Sequence, residues 1–280
     1  MSAKSPTIIL TGASRGLGHS IAHILLNHPS KPNLVLTART AGPLTSFEAQ
    51  YPDRVAHIAG DITSPRIEAD LIKLAVEKFG SLDGLVINHG ILGPVRKIGD
   101  LHQNKGARED EVGARSEDDI KYWEDSKVCW DVNYFSALRL SAEALPHLKK
   151  SEFGGKIVFV SSGAATTGYS GWETYGATKA AMNHLAISLG SEEPDVTTVS
   201  IRPGVVDTGM QVEIREQHRE GMGEEGHSRF TELHASGKLL KPEQPGTVIA
   251  NLAISAPKEL SGKFLSWNSP ELDSFQIQFS

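Results

Sequence analysis

The chain has 280 residues, 39% of them hydrophobic, and a formal net charge of −6 at pH 7. This length allows a sizeable core, and a single α/β domain of ~250 residues is common. The acidic balance argues against nucleic acid and anionic membranes as partners, and the single cysteine, Cys129, excludes an internal disulfide framework and a thiolate-rich metal site.

Seven short apolar runs rich in β-branched residues predict strands that are buried on both faces. They lie at 7–10, 33–38, 55–60, 82–88, 156–162, 196–203 and 262–267. Stretches of helical length and period separate several of them, at 21–27, 67–79, 135–149 and 175–192. This alternation predicts an α/β fold, a doubly wound parallel sheet with helices on both faces, in a single domain over 1–280.

Two segments interrupt the alternation. Residues 103–119 are rich in charge and poor in apolar anchors, which predicts a solvated loop inserted before a helix, with a partner-binding segment as the alternative. Residues 209–241 mix charges, glycines and a few apolar side chains. They form either a helical lid over a pocket or a surface excursion.

The sequence TGASRGLG follows the first predicted strand directly and leads into the first predicted helix. Gly12 permits a tight exit from the strand, Gly16 lets the backbone approach a phosphate, and Gly18 allows the helix to pack closely on the sheet. The helix N-terminus would face the phosphate with free N–H groups and a favourable dipole. This order of elements predicts a dinucleotide site in a Rossmann-type fold rather than a structural turn.

The spacing TGxxxGxG near the N-terminus resembles that of the short-chain dehydrogenase/reductase family, and further motifs of that family follow in order up to about residue 267. The resemblance implies an oxidoreductase that binds a nicotinamide dinucleotide. It also implies that the cofactor contacts the loop through Gly12, Ser14, Arg15, Gly16, Leu17 and Gly18.

The end of the second predicted strand discriminates between the two nicotinamide cofactors. An acidic residue there accepts hydrogen bonds from the ribose of NAD and would repel the 2′-phosphate of NADP. Here Ala38 occupies that place and Arg39 follows it, while Arg15 lies in the glycine loop. Two guanidinium groups without a nearby acid suit a 2′-phosphate, so the sequence predicts NADP(H).

Two further cofactor segments follow from the resemblance. In GDIT, Asp61 and Ile62 stand where the family contacts the adenine, although Asp61 could instead be a strand-end turn residue. In INHG, Asn88 and Gly90 match the family and imply a tie between neighbouring strands and space for the cofactor. His89 departs from the usual alanine, and we predict no catalytic role for it.

The segment RPGVVDTGM follows the sixth predicted strand. The resemblance implies that the backbone after Gly204 and the hydroxyl of Thr208 contact the nicotinamide carboxamide, with Pro203 and Val206 beside them. A plain turn after the strand is the alternative.

Tyr175 and Lys179 are spaced i, i+4 in a helical pattern and therefore share a face. A free tyrosine titrates near ~10, too high for efficient proton exchange at neutral pH. A lysine cation beside it favours the phenolate, which predicts a lowered tyrosine pKa and a general acid for carbonyl reduction. The resemblance adds that both residues contact the cofactor.

Two more residues complete a catalytic set by resemblance. Ser162, thirteen residues before Tyr175 at the end of a predicted strand, would polarise the substrate carbonyl together with the tyrosine. Asn133 matches the family's helix asparagine, which retains a water for proton relay to the lysine. The predicted catalytic residues are Asn133, Ser162, Tyr175 and Lys179.

The predicted pocket walls are mostly apolar or aromatic and comprise Leu92, Gly93, 164–172, and Met210 and Val212 of the candidate substrate lid. They favour a hydrophobic ketone or α-diketone as the small-molecule carbonyl substrate. Stretches around these residues resemble a fungal subgroup close to sepiapterin reductase, the benzil reductases that form (S)-benzoin. Two alternatives stay open, an NADP-dependent dehydrogenase that oxidises alcohols and a non-catalytic NADP(H)-binding regulator.

The remaining expectations concern partners and location. We predict no metal site from the eleven histidines, and no apolar run suits a signal peptide or a membrane span. We therefore expect a cytoplasmic protein without metal, membrane or nucleic-acid partners. By resemblance, a homodimer or homotetramer would form through the helices around 125–149 and 175–190.

Overall fold

The computed structural model describes residues 4–101 and 116–277. Its strands are β1 (Thr7–Thr11), β2 (Asn33–Ala38), β3 (Val55–Ala59), β4 (Gly84–Ile87), β5 (Gly155–Val160), β6 (Val196–Arg202) and β7 (Lys263–Ser266). They form one parallel sheet in the order β3-β2-β1-β4-β5-β6-β7. Each predicted apolar run overlaps one of these strands, and the prediction of a doubly wound parallel sheet is confirmed.

The described residues contain α1 (Gly16–Asn27), α2 (Ala41–Gln50), α3 (Pro65–Phe79), α4 (Glu117–Trp130), α5 (Ser136–Leu148), α6 (Glu173–Glu192), α7 (Gly209–Gln217), α8 (Arg219–Ala235) and α9 (Glu243–Ser255). A turn of π-helix, Asp131–Phe135, joins α4 to α5. Within these ranges no helix has the length and hydropathy that crossing a membrane requires.

Strands β1, β2, β4, β5 and β6 bury side chains on both faces, which explains their nearly continuous apolar runs. The prediction is wrong for the edge strands, because β7 is half-buried to exposed and β3 is buried only at its start. On β1, Ile8 and Leu10 pack with α1, α2 and α9, whereas Ile9 between them packs with α3, α5 and α6. All three side chains are fully buried. Each of them contributes about 1.5–3 kcal/mol of burial free energy, so the central strand fixes both helical layers.

β1 is the point at which the order of strands reverses, because β2 and β3 lie on one side of it and β4 to β7 on the other. At such a point the loops after neighbouring strands diverge and leave a crevice at the carboxyl edge of the sheet. Leu10 pairs with Val86 of β4, so the loops that carry Gly12 and Asn88 begin side by side.

The predicted loop over 103–119 extends too far at its C-terminal end, because helix α4 already begins at Glu117. Ser116 caps this helix by accepting a hydrogen bond from the Asp119 N–H at 3.1 Å. Three acidic residues in the first turn also suit the positive end of the helix dipole. Residues 103–115 lie outside the described residues. The candidate lid at 209–241 forms α7 and α8.

Candidate active site

A cavity of about 560 Å³ opens where the loops after β1 and β4 diverge. Its volume lies in the range of small-molecule sites. Every residue predicted to bind the cofactor or to act in catalysis lines it, with the exception of Asn133. These residues are Gly12, Ser14, Arg15, Gly16, Leu17, Gly18, Arg39, Asp61, Ile62, Asn88, Gly90, Ser162, Tyr175, Lys179, Pro203, Gly204, Val206 and Thr208.

Asn88 holds the glycine loop in shape. Its Nδ2 donates to the carbonyl oxygens of Thr11 at 3.2 Å and Gly12 at 3.1 Å, so the predicted tie between strands is confirmed. Gly12 has a φ of 67°, which favours glycine. A Cβ on Gly18 would overlap the Gly12 carbonyl oxygen and Asn88 Nδ2. Glycine at this position therefore lets α1 pack against the loop.

The N-terminus of α1 can receive an anion. Arg15 is the N-cap residue, its side chain makes no capping hydrogen bond, and the first turn contains no acidic residue. The N–H groups of that turn and the helix dipole therefore suit a phosphate. A Cβ on Gly16 would lie 3.1 Å from Thr208 Cγ2, so the loop faces the start of α7 closely. These features fit the pyrophosphate of a dinucleotide.

The two predicted phosphate-binding arginines reach the cavity from different sides. Arg39 lies near Asp61, whose pKa is lowered chiefly by the hydrogen bond from the Thr63 N–H at 2.9 Å and further by the charge of Arg39. Arg15 lies against α7, since a Cβ on Gly209 would be 3.4 Å from its Nη1. Within residues 4–101 and 116–277, neither guanidinium has a carboxylate within 4.0 Å. Both are therefore available to an anionic ligand.

Ser162 and Tyr175 meet in the cavity, and the phenol is 7% exposed. Ser162 Oγ accepts a hydrogen bond from the Ala164 N–H at 3.1 Å, which leaves the hydroxyl proton free to be donated. Burial raises the pKa of Tyr175 to about 12, and the nearby Ser162 side chain offsets this only in part. The sequence predicts a lowered pKa for Tyr175, and this prediction is wrong, because the surrounding protein raises it. Tyr175 is therefore held in its protonated form.

Lys179 is 3% exposed, and its Nζ donates to the carbonyl oxygen of Val160 at 2.9 Å. Burial lowers the pKa of Lys179 to about 8, so the side chain is cationic at neutral pH. Its Nζ lies 5.9 Å from the centroid of the Tyr175 ring. Because the lysine loses its proton at a lower pH than the tyrosine does, its charge is absent where the tyrosine titrates, which explains the failed prediction.

Asn133 supports the site from behind and does not line the cavity. It lies in the π-helical turn, is fully buried, and clamps the backbone after β4. Its Oδ1 accepts from the Ile91 N–H at 2.9 Å, and its Nδ2 donates to the Ile91 carbonyl oxygen at 2.9 Å and to Thr178 Oγ1 at 3.1 Å. The side chain thus links the β4 loop to α6 beside Lys179. The relay role stays a prediction.

The segment after β6 lies opposite the glycine loop. Val206 forms a parallel β-bridge with Leu240, which fixes this segment against the chain beyond α8. Thr208 is the N-cap residue of α7, yet its side chain makes no capping hydrogen bond. Its hydroxyl is therefore free for a ligand, and the nicotinamide contact of Pro203 to Thr208 stays a prediction.

An aromatic wall adjoins Tyr175. The Trp172 ring stacks on Tyr169 with centroids 5.1 Å apart and on Phe230 of α8 with centroids 5.2 Å apart. Trp172 also meets the Tyr175 ring edge-on at 5.6 Å. Ile214 of α7 belongs to the same apolar cluster. The candidate lid therefore supplies part of the cavity wall.

The sequence interpretation missed some wall residues and misplaced others. Phe230 and Ile214 line the cavity, although no motif marks them. Val212 was predicted to line it but is 37% exposed, because residues two apart on a helix point in different directions. Leu92 and Gly93 do not line the cavity either, although Leu92 is buried in the aromatic cluster behind it.

In the part of the chain that the structure describes, no three histidine, cysteine or carboxylate side chains cluster as a metal site would require. His19 and His23 on α1 do have the i, i+4 spacing found in some metal sites. Their ring centroids are 4.7 Å apart and edge-on, and both rings pack on Phe47. Two imidazoles on one helix are not a metal centre.

The parallel sheet, the glycine loop and the Ser162, Tyr175 and Lys179 cluster define a dinucleotide-dependent oxidoreductase. A match to the short chain dehydrogenase family covers residues 6–219. The chain belongs to this family, which uses nicotinamide cofactors, and the resemblance noted in the sequence is confirmed.

Its relatives include named reductases. The chain is 41% identical over 275 residues to the benzil reductase ((S)-benzoin forming) IRC24 of Saccharomyces cerevisiae, covering 96% of this chain and 98% of that protein. It is 30% identical over 253 residues to a benzil reductase ((S)-benzoin forming) of Bacillus cereus, covering 88% and 92%. The crystal structure of YIR035C, a short-chain dehydrogenase/reductase of Saccharomyces cerevisiae, matches with a TM-score of 0.87 at 35% identity, covering 98% of this chain and 100% of that chain.

Proposed function

We propose that this chain is an NADPH-dependent carbonyl reductase of hydrophobic ketones, with aryl α-diketones as the preferred class. The observation that carries the proposal is the position of Ser162 and a protonated Tyr175 beside an aromatic wall, in one cavity with the glycine loop. Proton donor, apolar subsite and dinucleotide cradle are thus contiguous.

The substrate oxygen would lie between the O–H groups of Ser162 and Tyr175, which stabilise the negative charge that develops on it. When bound, NADPH supplies the hydride that the carbonyl carbon accepts. Tyr175 transfers its proton to the oxygen, which yields the alcohol, and the resulting phenolate takes up a proton from solvent. Lys179, cationic at neutral pH, stabilises that phenolate.

Tyr175 is in the protonated form from which carbonyl reduction starts. With a pKa of about 12, the residue holds its proton at neutral pH, the form that reduction consumes. Oxidation would have to start from the phenolate. A regulator without catalytic activity would have no need for a buried phenol and a serine hydroxyl in the same cavity as the glycine loop.

The phosphate-facing residues support NADPH over NADH. Ala38, at the end of β2, places no carboxylate where a 2′-phosphate would lie, and Arg39 beside it is exposed and forms no ion pair within the described ranges. Arg39 is the principal ligand of the 2′-phosphate in this proposal, because Arg15 lies against α7. Arginine can bind a phosphate in bidentate fashion.

The cavity wall supports an aryl substrate. Aromatic rings attract one another in stacked and edge-on arrangements worth about 0.5–1.5 kcal/mol beyond area burial. Tyr169, Trp172 and Phe230 present such rings next to Tyr175. Two relatives are named as benzil reductases, and benzil is an aryl α-diketone.

The purified full-length protein tests the proposal in a panel of benzil, a small aliphatic diketone and a hydrophobic monoketone, each with NADPH and with NADH. We expect NADPH oxidation that is fastest with benzil and slowest with the aliphatic diketone. The absence of NADPH oxidation across the panel would refute the proposed function, and equal rates for aryl and aliphatic diketones would refute the substrate class.

Assembly as a homo-oligomer through α4 and α5 is part of the same proposal. Large apolar side chains are exposed along these helices and the π-helical turn between them, at Ile120, Trp123, Val128, Phe135 and Leu138. Their spacing of three to seven residues gives a long apolar surface, and apolar surfaces of this kind mark protein interfaces. A second copy of the chain would cover this surface.

A further inference from the structure

His89 is a buried polar residue that the proposed mechanism does not use. It follows Asn88 in the loop after β4 and is 9% exposed. Its Nδ1 lies 2.7 Å from Thr11 Oγ1, and its Nε2 lies 2.8 Å from Ser136 Oγ. Both ring nitrogens are thus hydrogen-bonded, to two elements that are far apart in sequence.

The neighbouring bonds assign the protons on His89. Ser136 Oγ donates its proton to the Val132 carbonyl oxygen at 2.7 Å, so it can only accept from His89. His89 Nε2 therefore carries the proton of the neutral ring. Thr11 Oγ1 lies 3.2 Å from the Val86 carbonyl oxygen but only 2.7 Å from Nδ1, so its proton goes to the Nδ1 lone pair rather than to that more distant carbonyl. Burial, with a smaller effect of the Lys179 charge, lowers the pKa of His89 to about 3, so the ring is neutral at physiological pH.

The two partners of His89 belong to opposite parts of the site. Thr11 ends β1 immediately before Gly12, and its Oγ1 also accepts from the Asn88 N–H at 3.0 Å. Ser136 begins α5 immediately after the π-helical turn, to which it is bonded through Val132. His89 therefore connects the base of the glycine loop to the turn that carries Asn133.

A continuous set of hydrogen bonds leads from that turn to the catalytic helix. Asn133 clamps Ile91 and donates to Thr178 Oγ1 at 3.1 Å. Thr178 in turn donates to the Tyr175 carbonyl oxygen at 2.8 Å and directly precedes Lys179 in α6. A shift of the π-helical turn would thus displace both catalytic residues of α6, Tyr175 and Lys179.

We propose that His89 is a positioning residue, whose two-ended hydrogen bond holds the turn Asp131–Phe135 against the carboxyl ends of β1 and β4 and thereby keeps Asn133, Tyr175 and Lys179 in register. The kinetic consequences of this role of His89 rest on the proposed reductase function. Its structural consequence, which is that Asn133 stays bonded to Ile91, is independent of that function.

Three variants separate hydrogen bonding from packing. His89→Leu keeps apolar volume and removes both bonds, His89→Gln keeps a donor near the position of Nε2, and Ser136→Ala removes the acceptor. We expect His89→Leu and Ser136→Ala each to lower kcat about tenfold with an unchanged KM for NADPH. His89→Gln should recover most of kcat, and the double variant His89→Leu/Ser136→Ala should be no slower than either single one.

Hydrogen exchange of the Ile91 amide in the same variants gives a readout that needs no activity. We expect faster exchange in His89→Leu and Ser136→Ala than in the wild type and in His89→Gln. If the wild type reduces no carbonyl while exchange follows this order, the proposed function fails and the positioning role stands. Any of three results would overturn the positioning role: a wild-type kcat in both Ser136→Ala and His89→Leu, losses of kcat that add up in the double variant, or unchanged exchange of the Ile91 amide. If His89→Leu does not fold, Ser136→Ala alone decides the test.

Discussion

Acidification should destabilise the wild-type protein more than its His89→Gln variant. In the folded protein the pKa of His89 is about 3, below the ordinary value of 6.5 that applies in the unfolded chain. The unfolded chain therefore binds one more proton in the window between these values, and the stability that a neutral His89 contributes is complete above pH 6.5 and is lost as the pH falls.

The size of this effect follows from the pKa difference. One pKa unit corresponds to about 1.4 kcal/mol, so going from about pH 7 to about pH 5 should cost the wild type roughly 2 kcal/mol of unfolding free energy through His89 alone. Lys179 is the charged group that opposes protonation of the ring. His19 and His28 also have lowered pKa values and add to the loss in the same direction.

Urea unfolding at several pH values, at one protein concentration, measures the effect. Since His19 and His28 are present in both proteins, the difference between wild type and His89→Gln isolates His89. We expect the difference in unfolding free energy between the two proteins to change by about 2 kcal/mol from about pH 7 to about pH 5, with the variant losing less stability. Parallel pH profiles for the two proteins would show that His89 titrates normally and would refute its assignment as a neutral, doubly bonded group.

Three further substitutions test the cofactor site, the substrate wall and the oligomer. Arg39→Ala should raise the KM for NADPH about tenfold or more and leave that for NADH unchanged, and equal effects on both would contradict the 2′-phosphate assignment. Phe230→Ala, which removes the ring stacked on Trp172, should raise the KM for benzil and cost about 3 kcal/mol of stability in thermal unfolding. The matched change Val212→Ala, on an exposed side of α7, should do neither. Ile120→Asp, on the exposed apolar surface of α4 and outside the cavity, should yield monomers in sedimentation analysis, and a monomeric wild type would refute the interface.

The fold was predictable because its dominant signal is local. Parallel strands buried on both faces need continuous apolar runs, and residues 7–10 and 33–38 show such runs plainly. Strand ends were less predictable. β4 stops at Ile87, short of the predicted 88, because the Asn88 N–H donates to the side-chain hydroxyl of Thr11 instead of to a backbone carbonyl oxygen of a neighbouring strand.

The site was predictable where a motif marks it and obscure where only tertiary structure brings residues together. The glycine loop, Ser162, Tyr175 and Lys179 carry motifs, and the fold brings them to one cavity. Phe230 carries none, because it reaches the cavity from α8 at the far end of the chain.

Electrostatics could not be predicted from spacing alone. The i, i+4 spacing of Tyr175 and Lys179 correctly puts them on one face but does not reveal how deeply both are buried. Burial raises one pKa and lowers the other, so the sign of the predicted tyrosine shift was wrong. The role of His89 was hidden for a similar reason, since its partner Ser136 lies 47 residues away.

The central claim is that Tyr175 is the proton donor in carbonyl reduction, and its most direct test is the rate of benzil reduction by NADPH in wild type and Tyr175→Phe. Tyr51→Phe serves as the matched control, since Tyr51 ends α2 and does not line the cavity. We expect Tyr175→Phe to lose activity by about 10²-fold or more while it still binds NADPH, because general acid catalysis contributes about 10²–10⁴. Tyr51→Phe should match the wild type. Turnover by Tyr175→Phe at the wild-type rate would contradict the account.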